Sequence, residues 1–267
     1  MAHKQSVQLV FDIPLNNRGL QPADRELNTS WLDHRIAIMC KYTLPSLAEQ
    51  TCQDFWVMFG VRRETLHYLK HHRMLRKALD SLSMASKTCF TSKPLAMDFR
   101  RPDGPLGASD YVLVAHLDSD DVYHPRAVGE MLGSGPFQGA PGKVAFRMQE
   151  VIRYARGYFL DDQTQRMHPY VSLRPPFFAQ VLRWDDWLNP SVPILRHHAN
   201  LKHCKRMRVI SDKPRFIVTI HGRNKSSRFR GGHWGLLTDG QARRALGEFP
   251  SVLRLLKTRR GKKGKKR

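Results

Sequence analysis

Three carboxylates stand within four consecutive positions of this chain, at Asp118, Asp120 and Asp121. They directly follow residues 111–117, an almost continuous apolar run that predicts a buried strand. Carboxylates crowded at one strand end repel one another unless a cation lies between them. Oxygen ligands favour Mg²⁺ or Mn²⁺, which leave coordination positions for substrate phosphates. The spacing therefore predicts a divalent-metal site, and the alternative is a turn in which Asp118 caps and the other two begin a helix.

Strands alternate with helices in the segments that must position these carboxylates. Residues 7–13, 55–60 and 111–117 have the composition of strands, and apolar residues recur at helical spacing from Trp31 and over residues 66–82. Two of the strands are apolar on both faces, which favours a mostly parallel sheet covered by helices. Ligands of such sheets bind outside the carboxyl ends of the strands, and the three carboxylates follow such an end.

The second half of the chain is less regular. Its predicted elements are short strands over residues 144–148, 151–159, 177–182 and 215–220 and one last helix over residues 240–257. We predict an α/β fold with a single domain over residues 1–256. Its first half covers about 1–132, and its second, α+β half covers about 133–256.

A strong positive charge distinguishes the composition. The chain has 45 Lys and Arg residues against 23 Asp and Glu, for a net charge of +22. Eleven of the cations lie in residues 196–230 and eight in residues 257–267, for which we predict a disordered basic tail because it has no large apolar side chain. Such a charge predicts attraction to polyanions, whether nucleic acid, phosphorylated glycans or anionic lipid surfaces.

Other features restrict the cellular location. No apolar run approaches the roughly 18 residues that span a bilayer, and the first residues show no secretory signal. The four cysteines form no CxxC pair, so we expect free thiols. We therefore expect a cytoplasmic protein, with peripheral contact at the inner face of a membrane as a further expectation from its charge.

Three stretches of the sequence resemble a known family. They are residues 31–56, which include Leu44-Pro45-Ser46-Leu47, residues 116–121, and Ile220-His221-Gly222-Arg223-Asn224. In this order they are similar to GT-A glycosyltransferases, and within that fold they most resemble a bacterial rhamnosyltransferase family, whereas residues 149–193 show little similarity. The resemblance implies a GT-A fold and transfer of a hexosyl group, of rhamnosyl type, from a nucleotide diphosphate sugar. It also implies Mn²⁺ or Mg²⁺ as cofactor, a donor-binding first half and an acceptor-binding second half.

The resemblance implies roles for individual residues as well. Asp118 would face the nucleotide sugar, while Asp120 and Asp121 would bind the cation. His221 would complete the coordination of the metal or contact the diphosphate. For His221 the alternative is a hydrogen-bonded structural histidine.

Cationic and amide side chains are the remaining donor contacts that the resemblance suggests. Arg35 would face the nucleotide, and Arg223 and Asn224 would face the diphosphate, because a guanidinium binds phosphates in a bidentate manner. The alternatives are a surface position for Arg35 and a solvated basic loop for the other two.

An inverting transfer also needs a base that takes the proton of the acceptor hydroxyl. Asp185 and Asp186 are candidates, because two tryptophans flank them and can stack on sugar faces. Asp161 and Asp162 are rivals. The alternative for the Trp-Asp-Asp-Trp stretch is a helix start whose tryptophans belong to the core.

We therefore expect a metal-dependent, inverting glycosyltransferase with a nucleotide-sugar donor and a glycan or other hydroxyl acceptor, which the basic surface suggests is anionic. The basic tail would add weak contact with an anionic membrane or nucleic acid. The second hypothesis is a nucleic-acid-binding protein or metal-dependent nuclease that uses residues 196–230 and the tail. The third is a glycosyltransferase-like domain without turnover that binds a glycan or a membrane surface.

Overall fold

The computed structural model describes residues 5–16, 27–92, 104, 106–138, 149–172, 176–189, 191–195, 201–202, 204, 206–221 and 235–264. Its strands, in chain order, are β1 (Val7–Pro14), β2 (Trp56–Gly60), β3 (Thr88–Thr91), β4 (Tyr111–His116), β5 (Val122–Tyr123), β6 (Glu150–Tyr154), β7 (Arg156–Asp161), β8 (Met167–Val171), β9 (Phe178–Arg183), β10 (Arg206–Ser211) and β11 (Phe216–Ile220). Its helices are α1 (Thr29–Lys41), α2 (Thr43–Ala48), α3 (Leu66–His71), α4 (Arg73–Ser81), α5 (Ala127–Leu132), α6 (Trp184–Leu188), α7 (Asp239–Gly247) and α8 (Pro250–Gly264).

A sheet of seven described strands forms the centre of the structure, in the order β3–β2–β1–β4–β9–β6–β10. Strands β1 to β4 run parallel, β9 is antiparallel to both of its neighbours, and β10 is parallel to β6. A second sheet of four described strands has the order β5–β11–β7–β8, in which β11 and β7 are parallel. The predicted α/β fold class with a mostly parallel, helix-flanked sheet is therefore confirmed, and the second half is the less regular one.

Both faces of the large sheet are buried, which explains why its strands are apolar throughout. Alternate residues of β1 contribute to two different cores. Leu9 and Phe11 belong to a large core that also contains apolar residues of α1 to α5. Val10 belongs to a smaller core on the other face, which contains Trp187 of α6.

Two predicted elements are each divided in the structure. The strand predicted over residues 151–159 is broken at Ala155 into β6 and β7, and these belong to different sheets. The helix predicted over residues 66–82 is broken at His72, whose backbone is extended. The ring of His72 accepts a hydrogen bond from the backbone N–H of Leu75, 3.4 Å away, and so caps the start of α4.

The predicted last helix also consists of two helices. Helix α7 begins with a capping box formed by Thr238 and Gln241, and α8 begins at Pro250, a residue suited to a first helical turn. Helix α8 continues to Gly264, into the segment for which the sequence predicts disorder. Val252 in the first turn of α8 is buried and anchors the helix. Since Lys and Arg are good helix formers, the helix can continue through the basic residues that follow.

Gly157 on β7 lies against β11, the strand that leads to His221. A Cβ added to Gly157 would lie 2.3 Å from Cδ2 and 2.5 Å from the backbone oxygen of Phe216. Phe216 is fully buried and stacks on Phe177 with ring centroids 4.0 Å apart, so it cannot move aside without cost. We expect Gly157→Ala to lower the free energy of unfolding by about 2 to 3 kcal/mol in chemical denaturation.

Gly240→Ala on α7 is the matched control, because a Cβ there would meet nothing within 4 Å. We expect this variant to keep the parent's free energy of unfolding or to raise it by up to about 1 kcal/mol, since Ala is the better helix former. Equal effects of the two substitutions would contradict the close packing of β7 on β11.

Two further expectations concern the whole chain. No helix of the described residues is long and apolar enough to cross a membrane. The four cysteines are free thiols, as predicted, with Cys204 buried and the other three half-buried.

Candidate active site

The Asp118–Asp121 turn leaves the large sheet where the strand order changes direction. From β1, the chain builds the sheet outward through β2 and β3 on one side and then places β4 on the other side. The backbone N–H of Leu117 donates to the backbone oxygen of Asp12 at the end of β1, at 3.2 Å. Open parallel sheets bind ligands at such a switch point, beyond the carboxyl ends of the two strands that flank it.

Asp120 has a buried carboxylate, and a nitrogen atom from each of two other side chains contacts it. Its Oδ2 atom lies 3.2 Å from Nη1 of Arg35 and 3.1 Å from Nε2 of His221. Burial alone would raise the pKa of Asp120, but the charge of Arg35 and the hydrogen bond from His221 outweigh it, so this pKa lies below its ordinary value. The folded chain therefore keeps Asp120 ionised at neutral pH.

Arg35 reaches the turn from α1. Asn28 caps this helix by accepting a hydrogen bond from the backbone N–H of Trp31 at 3.1 Å. Leu32 and Ile36 of α1 are buried in the large core. This packing holds the helix in place, and the guanidinium of Arg35 contacts both Asp120 and the hydroxyl of Ser119.

Asp121 ties the turn to β11. Its Oδ1 atom accepts a hydrogen bond from the backbone N–H of Thr219 at 3.1 Å, while Thr43 of α2 donates to its backbone oxygen at 2.9 Å. The hydroxyl of Thr219 also donates to the backbone oxygen of Asp120. Burial, reinforced by the negative charges of Asp120 and Asp118, raises the pKa of Asp121 well above its ordinary value.

Asp118 is the most exposed of the three carboxylates, with 29% of its side chain accessible. Its Oδ1 atom lies 3.6 Å from Nε2 of His116, a fully buried residue at the end of β4. The His116 ring stacks on Phe178 of β9 with centroids 5.4 Å apart. Asp118 is therefore the carboxylate of this turn that an incoming ligand can contact most directly.

His221 follows the end of β11 and is buried. Besides its contact with Asp120, its ring lies edge-on to that of His34 in α1, with centroids 5.5 Å apart. The fold thus brings together Asp118, Asp120, Asp121, His221 and Arg35, which the sequence had placed in three separate stretches. Arg223 and Asn224 lie outside the described residues.

The side chains of this turn can be compared with the ligands that a divalent metal ion needs. Among the described residues, no group of three or more His, Cys, Asp or Glu side chains is arranged to hold a metal ion. Mg²⁺ is commonly bound by only one or two carboxylates together with substrate phosphates and water. Asp118 and Asp120 supply two carboxylates in this turn, which is the number that such a mode of binding needs.

The four predicted bases lie elsewhere. Asp185 and Asp186 begin α6, and Arg183 just before them pairs with Tyr111, the first residue of β4. The length of β4, roughly 17 Å, therefore separates them from the Asp118–Asp121 turn along the sheet. Asp185 is exposed, Asp186 is buried, and Trp187 fills the smaller core, as the helix-start alternative describes.

Asp161 and Asp162 lie at the same end of the second sheet as His221, since Asp161 pairs with Ile220. Asp161 accepts hydrogen bonds from the backbone N–H groups of the following turn. Asp162 is 2.5 Å from Nζ of Lys41 and accepts a hydrogen bond from Tyr42. Both carboxylates thus hold local structure at this end of the second sheet.

Four residues of the site are additions to those that the sequence predicts. Ser119 lies inside the carboxylate motif and could have been added from its position alone. Thr43, Thr219 and His34 join the site through contacts between distant segments, such as the pairing of Thr219 with Asp121. Only the three-dimensional arrangement shows these roles.

No protein-family profile matches this chain, and no curated protein matches it in sequence. Its fold is similar to that of S. aureus TarS 1–349, solved in complex with UDP (14% identity, TM-score 0.41) and with UDP-GlcNAc (14% identity, TM-score 0.44). Each similarity covers 80% of this chain, but only 60% and 59% of the two TarS chains. The chain thus corresponds to about three fifths of the length of those structures.

Proposed function

We propose that this chain is a metal-dependent glycosyltransferase that transfers a sugar from a nucleotide diphosphate donor to a hydroxyl acceptor, with inversion. The observation that supports the proposal best is the convergence of Asp118, Asp120, His221 and Arg35 at the switch point of the sheet. In an α/β sheet, a nucleotide binds where polar groups converge at this position. The resemblance to GT-A enzymes rests on the same residues.

Each residue of the turn has a distinct task in this proposal. Asp118 and Asp120 would hold Mg²⁺ or Mn²⁺, which when bound neutralises the charge that develops on the leaving diphosphate. Arg35 keeps Asp120 ionised and oriented, and His221 contacts the same carboxylate from β11. Asp121 accepts its hydrogen bond from β11 and so keeps the turn against the second sheet.

The nature of the two substrates is part of the proposal. The resemblance favours a hexosyl donor of rhamnosyl type, and the net charge of +22 favours an anionic glycan as acceptor. The nuclease hypothesis receives less support from the fold. In the basic segment 196–230, Arg208 pairs with Glu150 and Arg215 pairs with Glu130, so these two cations are engaged within the protein.

Thermal unfolding with nucleotide diphosphates tests the proposal. A ligand present at a hundred times its Kd stabilises the native state by about 2.7 kcal/mol, which for a chain of this size raises Tm by about 5 to 10 °C. We expect such a rise with UDP, GDP or dTDP in the presence of Mn²⁺, a smaller one without the metal, and none for Asp120→Asn. No rise with any of the three nucleotides, or a comparable rise with a short oligonucleotide, would contradict the proposal.

A further inference from the structure

A second charged feature of the molecule has no task in the proposed reaction. Between residues 63 and 77, exposed Lys and Arg side chains occur at five positions, with Glu64 as the one acid in that stretch. These side chains, called here the α3–α4 cationic surface, are Arg63, Lys70, Arg73, Arg76 and Lys77.

In the part of the chain that the structure describes, the cations of the α3–α4 cationic surface are not neutralised by ion pairs, although Asp80 lines the same groove. None of its five side chains forms an ion pair within the described part of the chain. Five other cations of the described structure, by contrast, have acidic partners, namely Arg35, Lys41, Arg208, Arg215 and Arg254. Five unpaired like charges in so short a segment repel one another, so an external anion would relieve this repulsion.

Part of this surface borders an open groove of about 640 Å³. The groove is lined by His71, Arg73, Arg76, Lys77, Asp80 and Ser81. Arg73, Arg76, Lys77 and Asp80 recur at the spacing of one helical face. The opposite face of α4 presents Leu75 and Leu79 to the large core, so the helix is anchored in the protein and its cationic face is directed outward.

The exposed side chain of Met74 favours a lipid bilayer over a dissolved polyanion as the partner of the α3–α4 cationic surface. It is one of the exposed large apolar side chains of the described structure, with 49% of its surface accessible, and it lies between Arg73 and Lys77 in sequence. A soluble polyanion gains nothing from an apolar side chain among cations. At a bilayer surface, however, cations contact anionic headgroups while an apolar side chain enters the boundary with the acyl chains.

We propose that the α3–α4 cationic surface docks this protein on an anionic lipid bilayer. The guanidinium groups of Arg73 and Arg76 and the ammonium of Lys77 contact lipid phosphates, and Met74 enters the headgroup region. Asp80 is the one acidic side chain of the groove and lies near the C-terminal end of α4. The inference is independent of sugar transfer, since it uses no residue of the Asp118–Asp121 turn.

Co-sedimentation of the full chain with lipid vesicles tests the proposal. We compare vesicles of phosphatidylcholine with vesicles in which about one third of the lipid is phosphatidylglycerol. The test variant is Arg73→Gln/Arg76→Gln/Lys77→Gln. The matched control, Lys213→Gln/Arg243→Gln/Arg244→Gln, removes the same charge at exposed positions elsewhere. The C-terminal basic segment is present in every variant, so it cannot account for a difference between them.

The expected result is binding to anionic vesicles only, weakened about a hundredfold in the test variant and at most a few-fold in the control. Met74→Ser should weaken binding several-fold while the thermal stability stays unchanged. Equal binding by the two triple variants would overturn the proposal. A second outcome would also overturn the proposal: the test variant loses as much affinity for soluble polyphosphate as for vesicles, and Met74→Ser has no effect on vesicle binding. That outcome would assign the surface to a soluble polyanion.

Discussion

Asp120→Asn is expected to lower the proposed sugar transfer about a hundredfold or more. The substitution keeps the shape of the side chain and removes its charge. The site then loses one of the two carboxylates that the proposed function assigns to a divalent cation, and the new amide places an N–H group or a neutral oxygen against Arg35 and His221. Removing one electrostatic contribution of this kind from an enclosed site commonly costs a factor of 10² to 10³ in turnover. Release of the nucleoside diphosphate from a panel of nucleotide sugars, with Mn²⁺ present, measures the effect.

Asp212→Asn is the matched control for this experiment. It removes the same charge at an exposed position between β10 and β11, at the end of β11 that is opposite to His221. We expect its turnover to equal that of the parent protein. If Asp120→Asn also turned over at the parental rate, Asp120 would have no part in the reaction and the proposed metal site would be lost with it.

Arg35→Met is expected to destabilise the folded protein by about 3 kcal/mol. The Arg35 and Asp120 side chains are only 18% and 11% exposed, so removing the guanidinium takes a full positive charge away from a buried carboxylate that keeps its contact with His221. Breaking a buried ion pair from one side costs about 3 to 5 kcal/mol, chiefly because the remaining charge is not compensated. Met fills most of the space of the lost side chain, which limits the cost of a cavity.

A double-mutant cycle separates the charge effect from packing. In the Asp120→Asn background the carboxylate is absent, so Arg35→Met should cost about 1 to 2 kcal/mol less than it does in the parent protein. Chemical denaturation in the presence of a chelator measures all four proteins without bound metal. Arg244→Met, at an exposed position on α7, should change the free energy of unfolding by less than about 0.5 kcal/mol. Strictly additive effects of Arg35→Met and Asp120→Asn would show that the pair is not energetically coupled.

The two halves of the fold differ in how well their sequences predict them. In the first half the strands β1, β2 and β4 are mainly apolar runs bounded by polar or turn residues, and the helix α1 has apolar residues at a regular spacing. The predicted and observed bounds of β1, β2 and β4 therefore agree to within a residue. In the second half, the strand-like composition of residues 151–159 concealed the break at Ala155, because strands of the two sheets have similar compositions.

The candidate bases Asp185 and Asp186 show where a local pattern is compatible with two interpretations. The two tryptophans beside Asp185 and Asp186 are equally suited to a sugar site and to a core. The fold places Trp187 in the smaller core and the two aspartates near the start of β4 rather than its end. This outcome depends on β9 being antiparallel to β4, a property that the residues of α6 do not encode.

The local sequence was sufficient for the carboxylate turn, because the apolar strand and the polar residues that end it are adjacent in the chain. It was also sufficient for the α/β class, since hydrophobic periodicity is a property of short segments. The partners of the turn depended on the fold. Arg35 lies 85 positions before Asp120 and His221 lies 101 positions after it, and each contacts it because α1 packs on the large core and β11 pairs with β5. Such contacts between distant segments depend on how strands pair and helices pack, and no spacing within one segment records that arrangement.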